Sequence, residues 1–104
     1  MRRLGFSLPR EEIAVFCRRW KISQFAFFGS VLDETFRPDS DVDVLVTFAS
    51  DANWSLFDHA QMTQELEAIL ERKVDLVSRR AIERSRNPIR RQAILESAEA
   101  VYAA

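Results

Sequence analysis

Residues 27–46 read FFGSVLDETFRPDSDVDVLV, and this stretch decides the fold of the chain. Gly29 and Ser30 end one apolar run, and Asp41 and Asp43 lie at the start of the next. Because successive side chains of a β-strand point to opposite faces, Asp41 and Asp43 are expected to project from the same side of a sheet. The pattern predicts two strands, the first ending and the second beginning at one polar edge.

The residue types at that edge indicate its chemistry. Two neighbouring carboxylates repel each other unless a cation lies between them. Mg²⁺ takes such oxygen ligands together with waters and substrate phosphates. A turn that ends in Gly29 and Ser30 offers backbone N–H groups and a hydroxyl to phosphate oxygens. Together these features predict a site for phosphoryl or nucleotidyl transfer.

The composition fits one small domain with a single core. The chain has 104 residues, of which 47% are apolar, so we expect residues 1–104 to form one domain. The 15 basic and 16 acidic residues nearly balance and give no net-charge argument for a nucleic-acid partner. The charges are nevertheless segregated, because residues 32–71 are strongly acidic and residues 72–91 strongly basic.

The arginines of the basic region are best interpreted as a solvated helical face or a docking surface for an acidic partner. No aromatic side chains alternate with them, as they would on a platform for single-stranded RNA. We therefore do not expect direct binding of nucleic acid. The arginines concerned are Arg79, Arg80, Arg84, Arg86, Arg90 and Arg91.

The single cysteine and the apolar runs indicate a cytoplasmic protein. Cys17 excludes an internal disulfide, and its helical spacing from Ile13, Phe16 and Trp20 predicts a buried structural thiol. No apolar run is long enough to span a bilayer, and no signal-peptide core follows the charged start of the chain.

The first half of the chain is expected to contain a helix and two strands. The helix begins near Pro9 and ends by about Trp20. A buried strand follows over Ile22–Phe28, and the second strand covers Val42–Phe48. Residues 31–40 are predicted to form a turn or a single helical turn.

The second half is predicted to be mostly helical. Ser55 and Asp58 form a candidate capping box for a helix that reaches about Glu71. A short third strand is expected over Lys73–Val77, followed by two helical stretches that are separated at Asn87-Pro88. The apolar residues expected on these helices are Met62, Leu66, Ile69 and Leu70 in the first, and Ile89, Ile94, Leu95, Ala98, Val101 and Tyr102 in the last.

This order predicts an α/β sandwich with a small mixed sheet of about three strands. The first two strands should be antiparallel, because only then does Gly29 at the end of one face Asp41 at the start of the other. Asp75, within the third strand, can then reach the same edge as a third carboxylate.

The combination of Gly29-Ser30, Asp41-x-Asp43 and the later Asp75 resembles the minimal nucleotidyltransferase (MNT) family, which belongs to the DNA polymerase β-type nucleotidyltransferases. The likeness covers almost the whole chain. It implies that Asp41 and Asp43 bind two Mg²⁺ ions, which hold ATP and assist attack on its α-phosphate. Asp75 would complete the second metal site and act as base, and Gly29 and Ser30 would hold the β- and γ-phosphates.

The resemblance also implies a partner. Members of this family are commonly encoded beside HEPN-domain proteins, which are helical RNases that act as toxins. The nucleotidyltransferase is the antitoxin and transfers AMP from ATP to a tyrosine of the toxin. The small size of the chain agrees with an acceptor that is supplied by another protein.

The chain departs from the family at one point. Many members carry an Arg, often followed by Gly, three and four residues after the motif serine, where this chain has Asp33 and Glu34. Arg37 is the candidate substitute for the missing phosphate contact. The departure keeps open an alternative, in which the chain is a binding module that inhibits its partner by occlusion. His59 and Trp54 could approach the nucleotide, but structural roles are expected to be at least as common for such residues.

Overall fold

In the computed structural model, the chain forms a four-stranded mixed sheet with helices on both faces. The structure describes residues 8–29 and 41–103. The predicted turn at residues 31–40 lies outside the described residues. The elements, in chain order, are α1 (Arg10–Arg19), β1 (Ile22–Phe28), β2 (Val42–Phe48), α2 (Leu56–Leu70), β3 (Val74–Ser78), α3 (Arg79–Glu83), α4 (Pro88–Ser97) and β4 (Glu99–Ala103).

The order of the strands across the sheet is β3-β2-β1-β4. Strands β1 and β2 are antiparallel, as the polar edge required, and β2 and β3 are parallel and joined through α2. The predicted α/β class and the mixed character of the sheet are therefore confirmed. The start of β2, the start of β3 and the end of β1 lie at the same edge.

The fourth strand corrects the prediction for the C-terminal segment. Residues 99–103 were expected to continue the last helix, but they form β4, which pairs antiparallel with β1. The alanines of this segment favour a helix locally. Strand β1, however, has a free edge, and the backbone hydrogen bonds that this edge makes with residues 99–103 outweigh the helical preference. Ile89, which was expected on the apolar face of the helix, is 81% exposed, whereas Ile94 is buried.

Alternation along the central strands separates the two faces of the sheet. On β2, Val42, Val44 and Val46 point to the face that α1 and α2 cover, so Asp43 and Leu45 point to the other face. The helices fill the first face with Ile13, Phe16 and Cys17 of α1 and Met62, Leu66 and Leu70 of α2. The second face is packed only in part, by Ile82 of α3 and Ile94 of α4 against Ala26, Phe28 and Leu45.

Local signals in the sequence explain how the helices begin. The hydroxyl of Ser55 accepts a hydrogen bond from the backbone N–H of Asp58, and the Asp58 carboxylate accepts one from the N–H of Ser55, which confirms the capping box. Cys17 is fully buried, and burial raises the pKa of its thiol to about 12, as a structural thiol requires. Within the described ranges, no helix is long and apolar enough to cross a membrane.

Candidate active site

The three predicted carboxylates lie together at one edge of the sheet. The strand register places Asp43 directly beside Asp75 of β3 on one side and Phe28 of β1 on the other. Neighbouring strands lie about 4.8 Å apart, so the carboxylates of Asp43 and Asp75 stand side by side on one face. Asp41 comes one residue before β2. Asp41 and Asp75 are exposed, and Asp43 is half-buried.

Backbone and side-chain hydrogen bonds fix the strand starts that carry these acids. The N–H of Val42 donates to the carbonyl oxygen of Lys73 at 2.8 Å. This bond joins the start of β2, beside Asp41 and Asp43, to the start of β3, two residues before Asp75. The N–H of Val74 donates to the carboxylate of Glu67 in α2 at 3.0 Å. The site therefore rests on β2, β3 and the helix that joins them.

The electrostatics of Asp43 show how concentrated the negative charge is. Burial raises the pKa of the Asp43 carboxyl above its ordinary value, and the negative charges of Asp75 and Asp41 raise it further. The nearby positive charge of Arg90 lowers it. A bound cation would relieve the repulsion between these carboxylates.

Gly29 is the one residue of the Gly-Ser pair that the structure describes, and its backbone lies against Asp43. Its φ angle of +73° is one that side chains disfavour. A Cβ atom at this position would collide with the carboxylate of Asp43. Only glycine therefore lets the end of β1 come this close to the acids. Ser30 and Arg37, the other predicted phosphate contacts, lie outside the described residues.

Arg90 contributes to the electrostatics of the site, although no sequence pattern distinguished it from the neighbouring arginines. It lies in the first turn of α4, where the side chain of Asn87 accepts a hydrogen bond from its backbone N–H. Its positive charge acts on Asp43 from the partly packed face of the sheet. The available signal was its spacing of four residues from the buried Ile94, but this signal becomes useful only once the strand order is known.

The donor set of the site fits a divalent cation of the Mg²⁺ type. Mg²⁺ is commonly held by one or two carboxylates, with waters and substrate phosphates as its other ligands. Asp43 and Asp75 provide adjacent carboxylates, and Gly29 leaves space beside them. No cluster of three or more Asp, Glu, His or Cys side chains that could by itself hold a metal ion occurs in residues 8–29 and 41–103.

Trp54 and His59 lie at the other end of β2. Both line a cleft of about 780 Å³ at the carboxyl end of that strand, together with Arg80. The indole N–H of Trp54 donates to the carbonyl oxygen of Trp20 at 2.9 Å, and the two rings pack edge to face. A seven-residue strand spans about 20 Å, so neither side chain is placed beside the carboxylates. Trp54 has the structural role.

A mixed sheet with paired carboxylates and a closely packed glycine at one edge is typical of a nucleotidyltransferase. The family model described as the nucleotidyltransferase domain matches residues 10–101. Because this match spans most of the chain, the protein belongs to that family and is a nucleotidyltransferase.

Individual relatives agree with this assignment. A candidate protein adenylyltransferase of Methanocaldococcus jannaschii is 31% identical over 78 residues, which is 75% of each chain. The solved structure of a candidate minimal nucleotidyltransferase is 36% identical, covers 86% of both chains and gives a TM-score of 0.66.

Two further solved structures share the fold at lower identity. A toxin–antitoxin complex with AMP-PNP gives a TM-score of 0.71 at 23% identity, over 93% of this chain and 75% of the other. An MNT antitoxin in complex with a tri-AMPylated HEPN toxin of Shewanella oneidensis gives a TM-score of 0.62 at 22% identity, over 91% and 70% of the two chains.

Proposed function

We propose that this protein transfers AMP from ATP to a tyrosine hydroxyl of a HEPN RNase toxin and thereby acts as its antitoxin. The observation that carries the proposal is the adjacent pair Asp43 and Asp75, with the backbone of Gly29 against Asp43. Two similar proteins support the proposal. One is the MNT antitoxin that was solved in complex with a tri-AMPylated HEPN toxin, and the other is the adenylyltransferase relative.

The reaction forms one bond and breaks another at the α-phosphorus of ATP. The acceptor oxygen attacks this phosphorus in line, and the bond to the β-phosphate oxygen breaks, so pyrophosphate leaves. The exposed carboxylate of Asp75 takes the proton of the acceptor hydroxyl. Bound Mg²⁺ would neutralise charge on the phosphates and polarise the phosphorus under attack.

The remaining residues of the site bind and orient the substrate. In this proposal Asp41 and Asp43 hold Mg²⁺, with Asp75 as a further ligand. The backbone at Gly29 and the hydroxyl of Ser30 hold the β- and γ-phosphates, and Arg37 provides an additional phosphate contact. The exposed position of Asp41 and Asp75 leaves the edge open to an acceptor on another chain.

The test is the intact mass of the HEPN protein after incubation with this chain, ATP and Mg²⁺. We expect mass gains of whole AMP units. Asp43→Asn should reduce the initial rate about 1,000-fold or more, because it removes a charge that stabilises the transition state. Asp51→Asn is a matched control, since Asp51 is an exposed acid that pairs with Lys21 away from the site.

A second candidate function is inhibition of the toxin by occlusion. It is favoured by Asp33 and Glu34, which add negative charge where many family members have Arg and Gly. Neutralisation of the toxin by Asp43→Asn in growing cells, together with an unmodified toxin mass for the wild type, would establish occlusion. Loss of neutralisation in the same variant would support transfer of AMP.

A further inference from the structure

The path of the chain between β3 and β4 determines what lies above the carboxylates. Strands β3 and β4 are the two outermost strands of the sheet, so α3 and α4 must carry the chain across its whole width. The ten residues of α4 extend about 15 Å, which is close to the three strand spacings of about 4.8 Å that separate β3 from β4. The helix therefore begins on the side of β3 and β2 and ends beside β4.

The helical phase of Arg90 directs it toward the carboxylates. Ile94 packs against Phe28 and Leu45, so one face of α4 rests on the sheet. Arg90 precedes Ile94 by four residues and occupies the same face one turn earlier. That turn lies on the side of β2 and β3, and Ile94 itself belongs to the cluster of Phe28, the strand neighbour of Asp43.

The guanidinium of Arg90 is not engaged by the other residues that the structure describes. It makes no ion pair and no side-chain hydrogen bond with any other described residue. Its side chain is exposed. The adjacent Arg91 differs, because its guanidinium donates to the carbonyl oxygen of Ser85 at 3.2 Å. Arg90 is therefore an exposed cation with open hydrogen-bonding capacity, one helical turn before the residue that anchors α4 on the sheet.

We propose that Arg90 binds the triphosphate of the nucleotide and holds it against the carboxylate edge. This inference rests on the proposed function, because it assigns a phosphate contact to the same site. A triphosphate carries several negative charges, which Mg²⁺ held by the carboxylates would neutralise only in part, so a cation on its other side would strengthen binding. A guanidinium offers paired N–H donors that match phosphate oxygens. Arg90 thus supplies, from α4, a positive charge of the kind that many family members carry at the position of Asp33.

The fixed start of α4 makes this placement reproducible. Asn87 caps the helix through a hydrogen bond to the N–H of Arg90 at 3.1 Å, and Pro88 occupies the first turn. Ile94 anchors the following turn in the core. The long arginine side chain thus projects from a helix whose backbone is held at both turns, so less conformational freedom is lost on binding.

The experiment measures the affinity of the full chain for AMP-PNP with Mg²⁺ by titration calorimetry, with AMP as a second ligand. Arg90→Gln should weaken AMP-PNP binding roughly 10- to 100-fold, as expected for a lost charged hydrogen bond, and should change AMP binding much less. Arg90→Lys should restore part of the affinity. Arg80→Gln is the matched control, since Arg80 is an exposed arginine at the opposite end of the strands, and should bind AMP-PNP as the wild type does.

Each outcome decides the inference. Equal AMP-PNP affinity in Arg90→Gln and the wild type overturns it, as does an equal loss in Arg90→Gln and Arg80→Gln, which would indicate a general charge effect. Failure of the wild type to bind AMP-PNP overturns both the inference and the proposed function. Binding that depends on Arg90, without any transfer of AMP to a HEPN protein, supports the inference and contradicts the proposed function.

Discussion

The two faces of the sheet differ in how completely they are covered. The face toward α1 and α2 is packed along the whole length of the strands, from Val42 to Val46 on β2. The face toward α3 and α4 is packed around Leu45 and Phe28 and ends in the exposed acids. The same strands therefore stabilise the fold through the face that α1 and α2 cover, and they leave the acids accessible on the face toward α3 and α4.

Period-two alternation makes this division possible. Val42 and Val44 are fully buried on one face, while Asp43, which lies between them in sequence, points to the other. A change on the first face should therefore affect stability first, and a change among the acids should affect function first. Substitutions on the two faces can test this separation.

The largest effect on stability is expected from truncation of a leucine on the closed face. Leu66 of α2 is fully buried, so Leu66→Ala should lower the free energy of unfolding by about 3 kcal/mol through lost transfer energy and the cavity left behind. Leu95→Ala is the matched change on the other face, where Leu95 is only partly buried, and should cost about 1 kcal/mol. Urea unfolding monitored by circular dichroism measures both values.

Equal losses in the two leucine variants would contradict the comparison. That result would mean that the face of α3 and α4 contributes to the core as much as the face of α1 and α2. An Ile94→Ala variant would then locate the energy, because Ile94 is the buried residue of α4.

An intermediate effect is expected at Gly29, where the strand end meets the acids. Gly29→Ala should lower the free energy of unfolding by about 1–2 kcal/mol, because alanine disfavours a φ angle of +73° and its Cβ collides with the Asp43 carboxylate. The displaced carboxylate should also reduce the rate of AMP transfer at least about tenfold, since small misplacements of reacting groups are costly. Thermal unfolding and the mass assay measure the two effects.

The origin of the Gly29 effect can be separated with a double-mutant cycle. In an Asp43→Ala background the collision is absent and only the backbone cost of about 1 kcal/mol should remain. An unchanged cost in that background would show that Gly29 is required only for its φ angle, and that its contact with Asp43 has no energetic consequence.

The elements with local signals could be predicted from the sequence. The strands 22–28 and 42–48 are bounded by the turn residues and acids around them, and Ser55 with Asp58 specifies the start of α2. The antiparallel pairing of β1 and β2 followed from one requirement, namely that Gly29 must face the acids, and Asp75 was expected to reach the same edge. These features depend on residues that are close in sequence or on the simple period of a strand.

The rest depended on contacts that no local pattern encodes. Residues 99–103 are a strand only because β1 offers a free edge, so their alanines and their Val101 and Tyr102 were misread as the end of a helix. Arg90 could not be distinguished from the other arginines for the same reason. Its place on the side of β2 and β3 follows from the passage of α4 between the two outer strands.

The smallest effect concerns the stability cost of the acidic edge itself. The pKa of Asp43 is raised in the folded protein above its ordinary value of 3.8, so folding is opposed as pH rises through the folded pKa and the carboxyl loses its proton. Asp43→Asn removes this cost. The variant should be more stable than the wild type by about 1 kcal/mol at pH 7, the repulsion expected between charges one strand apart near a wet surface.

The pH dependence gives this prediction its sharpest form. The advantage of Asp43→Asn should shrink as pH falls below the folded pKa, and should vanish below pH 3.8, where the carboxyl is protonated in both the folded and the unfolded chain. Asp51→Asn, which breaks only an exposed pair with Lys21, should show no such gain at pH 7. Thermal unfolding of the three proteins between about pH 3 and about pH 7, a range that begins below the ordinary carboxyl pKa, measures the difference. If Asp43→Asn were less stable than the wild type at pH 7, the charged Asp43 would stabilise the fold. The acids would then not lower the free energy of unfolding, and this prediction would be wrong.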